Sequence, residues 1–229
     1  WYRKAAEQGD AQAQFNLGLM LQQGRGVKKN EKEAVEWYRR AAEQGNHRAR
    51  LNLALMLQQE RGVKKNEKEA VEWWRKAAKQ GNGNAQFSLG AMLEIGIGVK
   101  KNEKGAVEWY RKAAEQGDDK AQFNLGCCLR EGRGVKKNEK DAVDWYRKAA
   151  EQGNDKAQFN LGAMLEQGRG VKKNEKDAVD WYRKAAEQGK MLGNEAQFNL
   201  GLMLEQGRGV KKNEKEAVEW CRKAAEQGN

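Results

Sequence analysis

The sequence predicts an all-α solenoid of antiparallel helix pairs, on three observations: a fixed internal period, helical amphipathicity within each period, and glycines that punctuate it. The stretch GVKKNEK occurs six times, beginning at Gly26, Gly62, Gly98, Gly134, Gly170 and Gly209. Successive copies are 36 residues apart, except the last, which is displaced by 39. Tryptophans keep the same beat at Trp1, Trp37, Trp73, Trp109, Trp145, Trp181 and Trp220. Periods of this size belong to stacked repeats, each of which needs its neighbours to bury an apolar face.

The period divides the 229 residues into a leading piece, 1–9, that reads as the end of a repeat helix, followed by repeats at 10–45, 46–81, 82–117, 118–153, 154–189 and 190–229, all within one solenoid domain. The last repeat carries the three extra residues. These fall in KMLGNEAQF, Lys190 to Phe198, and place Met191 and Leu192 in a turn, where a tolerated loop insertion, a rotation of the last repeat or an apolar contact are the available readings. Opening on WYRKAAEQG, the chain looks like an excerpt from something longer.

In the first full repeat, Ala11 to Gln23 is apolar over a broad arc and ends at Gly24, a residue able to take the left-handed turn that stops a helix. This is helix A. Arg25 to Lys29 form a joint, and Asn30 offers an N-cap with Glu33 completing a capping-box-like pair. Helix B then runs to Gln44, with Gly45 as its stop. It gathers Ala34, Val35, Trp37, Tyr38, Ala41 and Ala42 on one arc and Glu36, Arg39, Arg40 and Glu43 on the other. Glu36 and Arg40 stand four apart in the favourable order and recur as Glu72 with Lys76 and Glu108 with Lys112, ordinary support for an exposed helix.

The pattern A-x-A-Q-F-N-L-G-x-M-L-x-x-G-R-G-V-x-x-N-x-x-x-A-V-x-W-Y-R-x-A-A-E-Q-G resembles the Sel-one-like repeat (SLR) family, a relative of the tetratricopeptide repeats, over essentially the whole chain. Its carriers in repeat one are Leu17, Gly18, Gly24, Gly26, Val27, Ala34, Trp37, Tyr38, Ala41, Ala42 and Gly45. The sequence departs from the family where Leu21 replaces a frequent Tyr and where Lys28 and Asn30 replace Pro and Asp. Leu still fills a core site and Asn still caps. The resemblance implies a right-handed superhelix that binds other proteins, often as an adaptor, in some members within membrane-associated quality-control complexes or in bacterial interaction with host cells.

Internal copies can be compared with one another. On a wheel of about 100° per residue, Ala13, Gln14, Leu17, Gly18, Met20 and Leu21 and their equivalents hardly change and share one side of helix A. Ala11, Gln12, Leu19, Gln22 and Gln23 change most and share the other, which is the candidate groove. Position 12 becomes Arg48, Asn84, Lys120, Lys156 and Glu195 in turn. Amid this variation persist Asn16, Asn52, Asn124, Asn160 and Asn199, with Ser88 in repeat three, beside Phe15, Phe87, Phe123, Phe159 and Phe198, with Leu51 in repeat two. Amides beside aromatics suit an extended peptide, since amides bond its backbone and phenyl faces hold side chains. Packing between successive repeats competes as a role for the phenylalanines, and stabilisation of local turns or water for the asparagines.

The expected function is therefore a non-enzymatic protein-interaction scaffold that binds a peptide or protein along the helix A face. The expected partner-binding residues are the five asparagines, Phe123, Phe159, Lys120, Lys156, Arg48 and Arg50. An acidic partner, or nucleic acid held by repeat two and the Lys-Lys joints, is the alternative. The formal charge of +11 is concentrated in repeat two, which carries +5, whereas the other repeats carry +1 each. That repeat also replaces Gly18 with Ala54 and Gly24 with Glu60, and a non-glycine residue at a left-handed stop costs up to ~1 kcal/mol, which predicts a local change of geometry.

Catalysis and metal binding find little to work with: the chain holds one histidine, His47, and one serine, Ser88, and no cofactor is expected. Cys127, Cys128 and Cys221 stand where Leu19, Met20 and Tyr38 do, and read as packing thiols compatible with a reducing compartment. No secretory signal is visible and no apolar run approaches the ~18 residues of a membrane span. Trp1, Tyr2, Trp220 and Cys221 leave both ends without polar caps, which predicts missing flanks or end-to-end self-association. Each Lys-Lys is followed by acidic residues that partly cancel its field. Filter binding at low salt is accordingly expected to retain neither single- nor double-stranded nucleic acid.

Overall fold

The computed structural model describes residues 1–189 and 193–227, leaving Met191 and Leu192 outside the described residues. Among those described there are thirteen helices and no strand. They form two compact units, Trp1–Ala113 and Ala114–Asn229.

The first unit begins with α1 (Tyr2–Glu7) and continues through α2 (Ala11–Gln23), α3 (Glu31–Glu43), α4 (His47–Gln59), α5 (Glu67–Lys79) and α6 (Gly83–Ile95) into α7 (Glu103–Glu115). The second contains α8 (Asp119–Glu131), α9 (Glu139–Glu151), α10 (Asp155–Gln167), α11 (Glu175–Gln188), α12 (Gly193–Gln206) and α13 (Glu214–Gln227). Even-numbered helices are the A helices and odd-numbered ones the B helices. In each unit an A helix packs on the B helix that follows it and on the one before, so burial alternates along the stack.

Local signals fix the helix ends. Asn30 accepts a 3.1 Å hydrogen bond from the Glu33 amide, and its own amide lies 3.3 Å from the Glu33 carboxylate. Gly24 ends α2 in the left-handed region at φ 71°. Glu60 ends α4 at φ 57° and ψ 36°, the one non-glycine residue at positive φ among the described residues. The change of geometry expected there does not occur: the stacked joint holds Glu60 in a glycine's conformation.

Two contacts set the spacing of the repeats. The first is backbone against backbone. A Cβ placed on Gly62 would stand 2.3 Å from the Glu31 carbonyl, and one on Gly98 2.4 Å from that of Glu67, so each joint rests on the start of the preceding B helix. Arg61 reinforces the first of these, its Nη2 lying 2.7 Å from the Glu31 carboxylate. Hydrogen bonds from Arg61 and Lys29 hold the Glu31 carboxyl below the ordinary carboxylate range.

The second contact is a buried amide. Gln14 Nε2 donates to the Ala6 carbonyl at 3.1 Å, and Gln86, Gln122, Gln158 and Gln197 repeat the bond to Ala78, Ala114, Ala150 and Ala186. These carbonyls end B helices, where each also accepts from the glycine amide three residues on, as Ala114 does from Gly117 at 3.1 Å, and the glutamine fills the second lone pair. The amide oxygen of the same glutamine accepts from a glutamine closing its own repeat: Gln44 to Gln14 at 2.8 Å, Gln152 to Gln122 at 2.8 Å, Gln188 to Gln158 at 2.7 Å. Arg50 stands in this register. Its Nε donates to the Ala42 carbonyl at 3.0 Å; a guanidinium accepts nothing, and Gln80 keeps the bond to the Gly45 carbonyl at 3.4 Å that Gln188 makes to Gly153 at 3.1 Å.

Replacing Gln122 with Met removes its bonds to the Ala114 carbonyl and the Gln152 amide, while Ala114 keeps its bond from the Gly117 amide, and should cost about 0.5–1.5 kcal/mol in denaturant unfolding. Arg50→Gln restores the common arrangement and should stay within about 0.5 kcal/mol of the parent.

Candidate functional site

The side of helix A that hardly varies is the buried one. Ala13, Gln14, Leu17, Gly18 and Leu21 are buried, as are Met56, Met92, Met164 and Met203 in the register of Met20. The opposite side stays accessible, and an ordered cluster lies along its border. A Cβ on Gly18 would stand 2.8 Å from the Tyr38 ring, so glycine there admits the tyrosine of the following B helix. Phe15 covers the other side of that ring, with centroids 5.9 Å apart, and Phe87–Tyr110, Phe123–Tyr146 and Phe159–Tyr182 repeat the pair at 5.7 to 5.9 Å. The phenylalanine thus packs on the B helix of its own repeat.

The phenol oxygens emerge on the accessible side and find partners at variable positions. Tyr38 donates to Gln22 at 2.6 Å, Tyr110 to Glu94 at 2.7 Å, Tyr182 to Glu166 at 2.8 Å and Tyr146 to the Cys127 sulfur at 3.3 Å. The asparagines join this cluster from the next repeat: Asn52 bonds Tyr38, and Asn199 bonds Tyr182. Asn160 accepts from Arg130 Nη1 at 2.5 Å and donates to the Lys156 carbonyl at 2.8 Å. Asn16 accepts from Gln12 at 3.0 Å. The amide row sits where repeats meet and is half-buried, Asn124 included, with Asn160 joining α10 to α8.

Of the cations expected to meet a partner, Lys120 and Arg48 are exposed and Lys156 is half-buried. Arg50 is half-buried and engaged in the inter-repeat bond described above. Phe123 and Phe159 are half-buried, whereas Phe198, beside Cys221 in the tyrosine's place, is 50% exposed. There Phe159, Asn199 and Phe198 converge with Cys221, Ala224 and Ala225 on an open, mainly apolar cavity of about 650 Å³. Burial pushes the Cys127 thiol up, away from the reactive thiolate.

The face formed by the B helices is chemically different. Arg40 lies 4.6 Å from the Trp37 ring centroid, and Lys76 and Lys148 lie 4.0 Å from those of Trp73 and Trp145. The sequence suggested Glu36 as the neighbour of Arg40; the indole face is where its guanidinium rests. The second lysine of each joint pairs with the acid that follows, as Lys29 does with Glu31 at 3.1 Å and Lys101 with Glu103 at 2.7 Å. Among the described residues no group of three His, Cys, Asp or Glu side chains is placed to hold a metal ion, and no helix is long and apolar enough to cross a membrane.

Comparison with known proteins decides the family. The Sel1 repeat pattern matches residues 1–10, 11–46, 47–82, 83–118, 119–154, 155–190 and 194–229. The chain belongs to the Sel1 repeat family. It is similar to a protective antigen present in uropathogenic Escherichia coli strains that displays an SLR fold, with 39% identity and a TM-score of 0.92 over 100% of this chain and 48% of that one, so it spans about half of that relative's length. A Sel1 repeat protein from Oxalobacter formigenes is 36% identical, with a TM-score of 0.77 over 95% of this chain and 86% of that one. An immunity protein from Pseudomonas aeruginosa, 21% identical with a TM-score of 0.52 over 95% of this chain and 81% of that one, shares the fold. No curated protein matches the sequence. The all-α stacking of helix pairs is thus that of the tetratricopeptide-like Sel1 solenoids, and Sel1 repeat proteins are generally protein-interaction scaffolds that are typically non-catalytic.

Burial pushes Tyr38 up to about 12 from its ordinary 10.0, so its protonated phenol contributes stability in full below pH 10 and the contribution is lost as pH rises through about 12. A spectrophotometric titration should show phenolate appearing with loss of helical circular dichroism in that window, and Tyr38→Phe should reduce the part of the loss that the parent alone shows.

Proposed function

We propose that this Sel1 repeat protein is a non-enzymatic scaffold that holds an extended peptide segment of a protein partner along its helix A face. The observation that carries this reading is the row of half-buried asparagines beside Phe123 and Phe159 on the accessible side of the A helices, which joins an aromatic wall to an amide in the way a peptide requires. The asparagines supply the polar half of the same recognition, for an amide bonded to a tyrosine on one side retains further donor or acceptor capacity for a ligand backbone. Phe123 with Asn124 and Phe159 with Asn160 repeat the combination in consecutive repeats, with Lys120 and Lys156 one helical turn before each asparagine.

Random peptides displayed against the intact chain provide the ligand for the test. Asn124→Ala and Asn160→Ala are expected to weaken a selected peptide about twofold to tenfold without loss of helical signal. Cys221→Tyr restores the ring that Gly201 still leaves room for. It should raise stability by about 0.5–1.5 kcal/mol and block peptides that use the cavity. Unchanged affinity in all three variants would remove the helix A face as the binding surface.

A further inference from the structure

Repeats two and three depart together from the chemistry of the other copies. Trp74 replaces the tyrosine, Leu51 the phenylalanine, Ala54 the glycine, and Ser88 the following asparagine. Trp74 is 3% exposed, and its indole nitrogen has no hydrogen-bond partner among the described residues. The tyrosine–asparagine pairing that would join repeat two to repeat three is thus replaced by Trp74 and Ser88. Leu55 is 39% exposed and Ile95 67%, the two large apolar residues exposed between α2 and α11 among those described. Every other repeat has Gln or Glu where Ile95 stands.

These residues share one stripe. Positions four, seven and eleven after Arg48 fall within about 40° of it on the helix wheel. The stripe on α4 is therefore Arg48, Asn52, Leu55 and Gln59, and its counterpart on α6 is Asn84, Ser88, Ala91 and Ile95. Successive A helices lie side by side: the Asn46 cap of α4 contacts Gln12 of α2 at 3.5 Å, and Arg130 of α8 reaches Asn160 of α10. Arg48 is exposed at the beginning of the stripe, beside exposed His47. The acidic groups, Glu60 and Glu94, lie at its far end, and Glu94 already accepts from Tyr110. Charge and apolar surface are thus segregated along the same face.

We propose that repeats two and three form a subsite for an acidic-apolar peptide segment, its carboxylate on Arg48 and its apolar side chain on Leu55, Ala91 and Ile95. The subsite rests on the scaffold reading above and names the ligand chemistry for the first unit. Eleven helical residues rise about 16 Å, which an extended chain covers in about five residues, so the acid precedes or follows the apolar residue at about that spacing. The exposed Arg48 guanidinium selects the acidic group, and the exposed isoleucine selects its apolar neighbour.

The experiment is selection of random twelve-residue displayed peptides on the intact chain and on Arg48→Glu and Ile95→Lys, both at exposed positions, with circular dichroism to verify folding. The parent is expected to enrich peptides with Asp or Glu about five residues from Leu, Ile, Phe or Met. Such a peptide should bind each variant at least tenfold more weakly, and Arg48→Glu should instead enrich Lys or Arg at the acidic position. Peptides without that pairing, or with undiminished affinity for both variants, overturn the subsite. If those peptides respond to Asn160→Ala or Cys221→Tyr, the scaffold reading stands while the subsite falls. Recovery of no peptide at all overturns both.

Discussion

The buried side-chain donor at the second turn of each A helix is the constraint on which the remaining structure depends. Gln14, Arg50, Gln86, Gln122, Gln158 and Gln197 all bond a terminal carbonyl of the preceding B helix. Each of these carbonyls also accepts from the glycine amide that closes its helix, and the side-chain donor fills the remaining lone pair, a bond worth about 0.5–1.5 kcal/mol each. The bond therefore fixes rotation as well as proximity: turning an A helix by one residue would aim the amide away and expose the apolar arc. Everything on the accessible side, including the asparagines and the variable positions, takes its direction from this requirement.

The glycine–tyrosine contact does complementary work. Gly18 and its equivalents let a phenol ring pass close to the A helix, the phenylalanine closes over it, and the hydroxyl comes out where neighbouring repeats meet. Where the sequence changes one member, it changes others. Repeat two enlarges the ring to Trp74 and the glycine to Ala54 and shrinks the phenylalanine to Leu51, a partial volume compensation that leaves the indole nitrogen unsatisfied. Repeat six shrinks the ring to Cys221 without enlarging anything, and Cys221 borders an open cavity.

Much of the fold was legible because its signals are local. The expected limits of helix A, Ala11 to Gln23, are those of α2, since a left-handed glycine and an Asn-x-x-Glu cap act within a few residues of the ends they define. The buried side of helix A could likewise be read from the invariance of its copies. What escaped is non-local. Arg50 read as part of a basic spot because comparison of copies records a change of residue type, not the preserved function of donating to a carbonyl eight residues earlier. Glu60 read as a point of distortion because an isolated residue at positive φ is strained, whereas here the stacked joint outweighs that strain. The site was half legible: the amide and aromatic positions were visible as a pattern, but their links through a tyrosine of another helix were not.

The joint glycines carry a consequence for recognition. Because Gly62, Gly98, Gly170 and Gly209 rest directly on the backbone of the preceding B helix, the step between repeats is set by main-chain contact and is indifferent to side-chain identity. Within either unit the accessible face is then a ruler with one graduation per repeat. Identical graduations would let a ligand slip by a whole repeat at no energetic penalty. Residues that differ from copy to copy, such as Arg48, Ile95 and Glu195, break that degeneracy and give the ruler an origin.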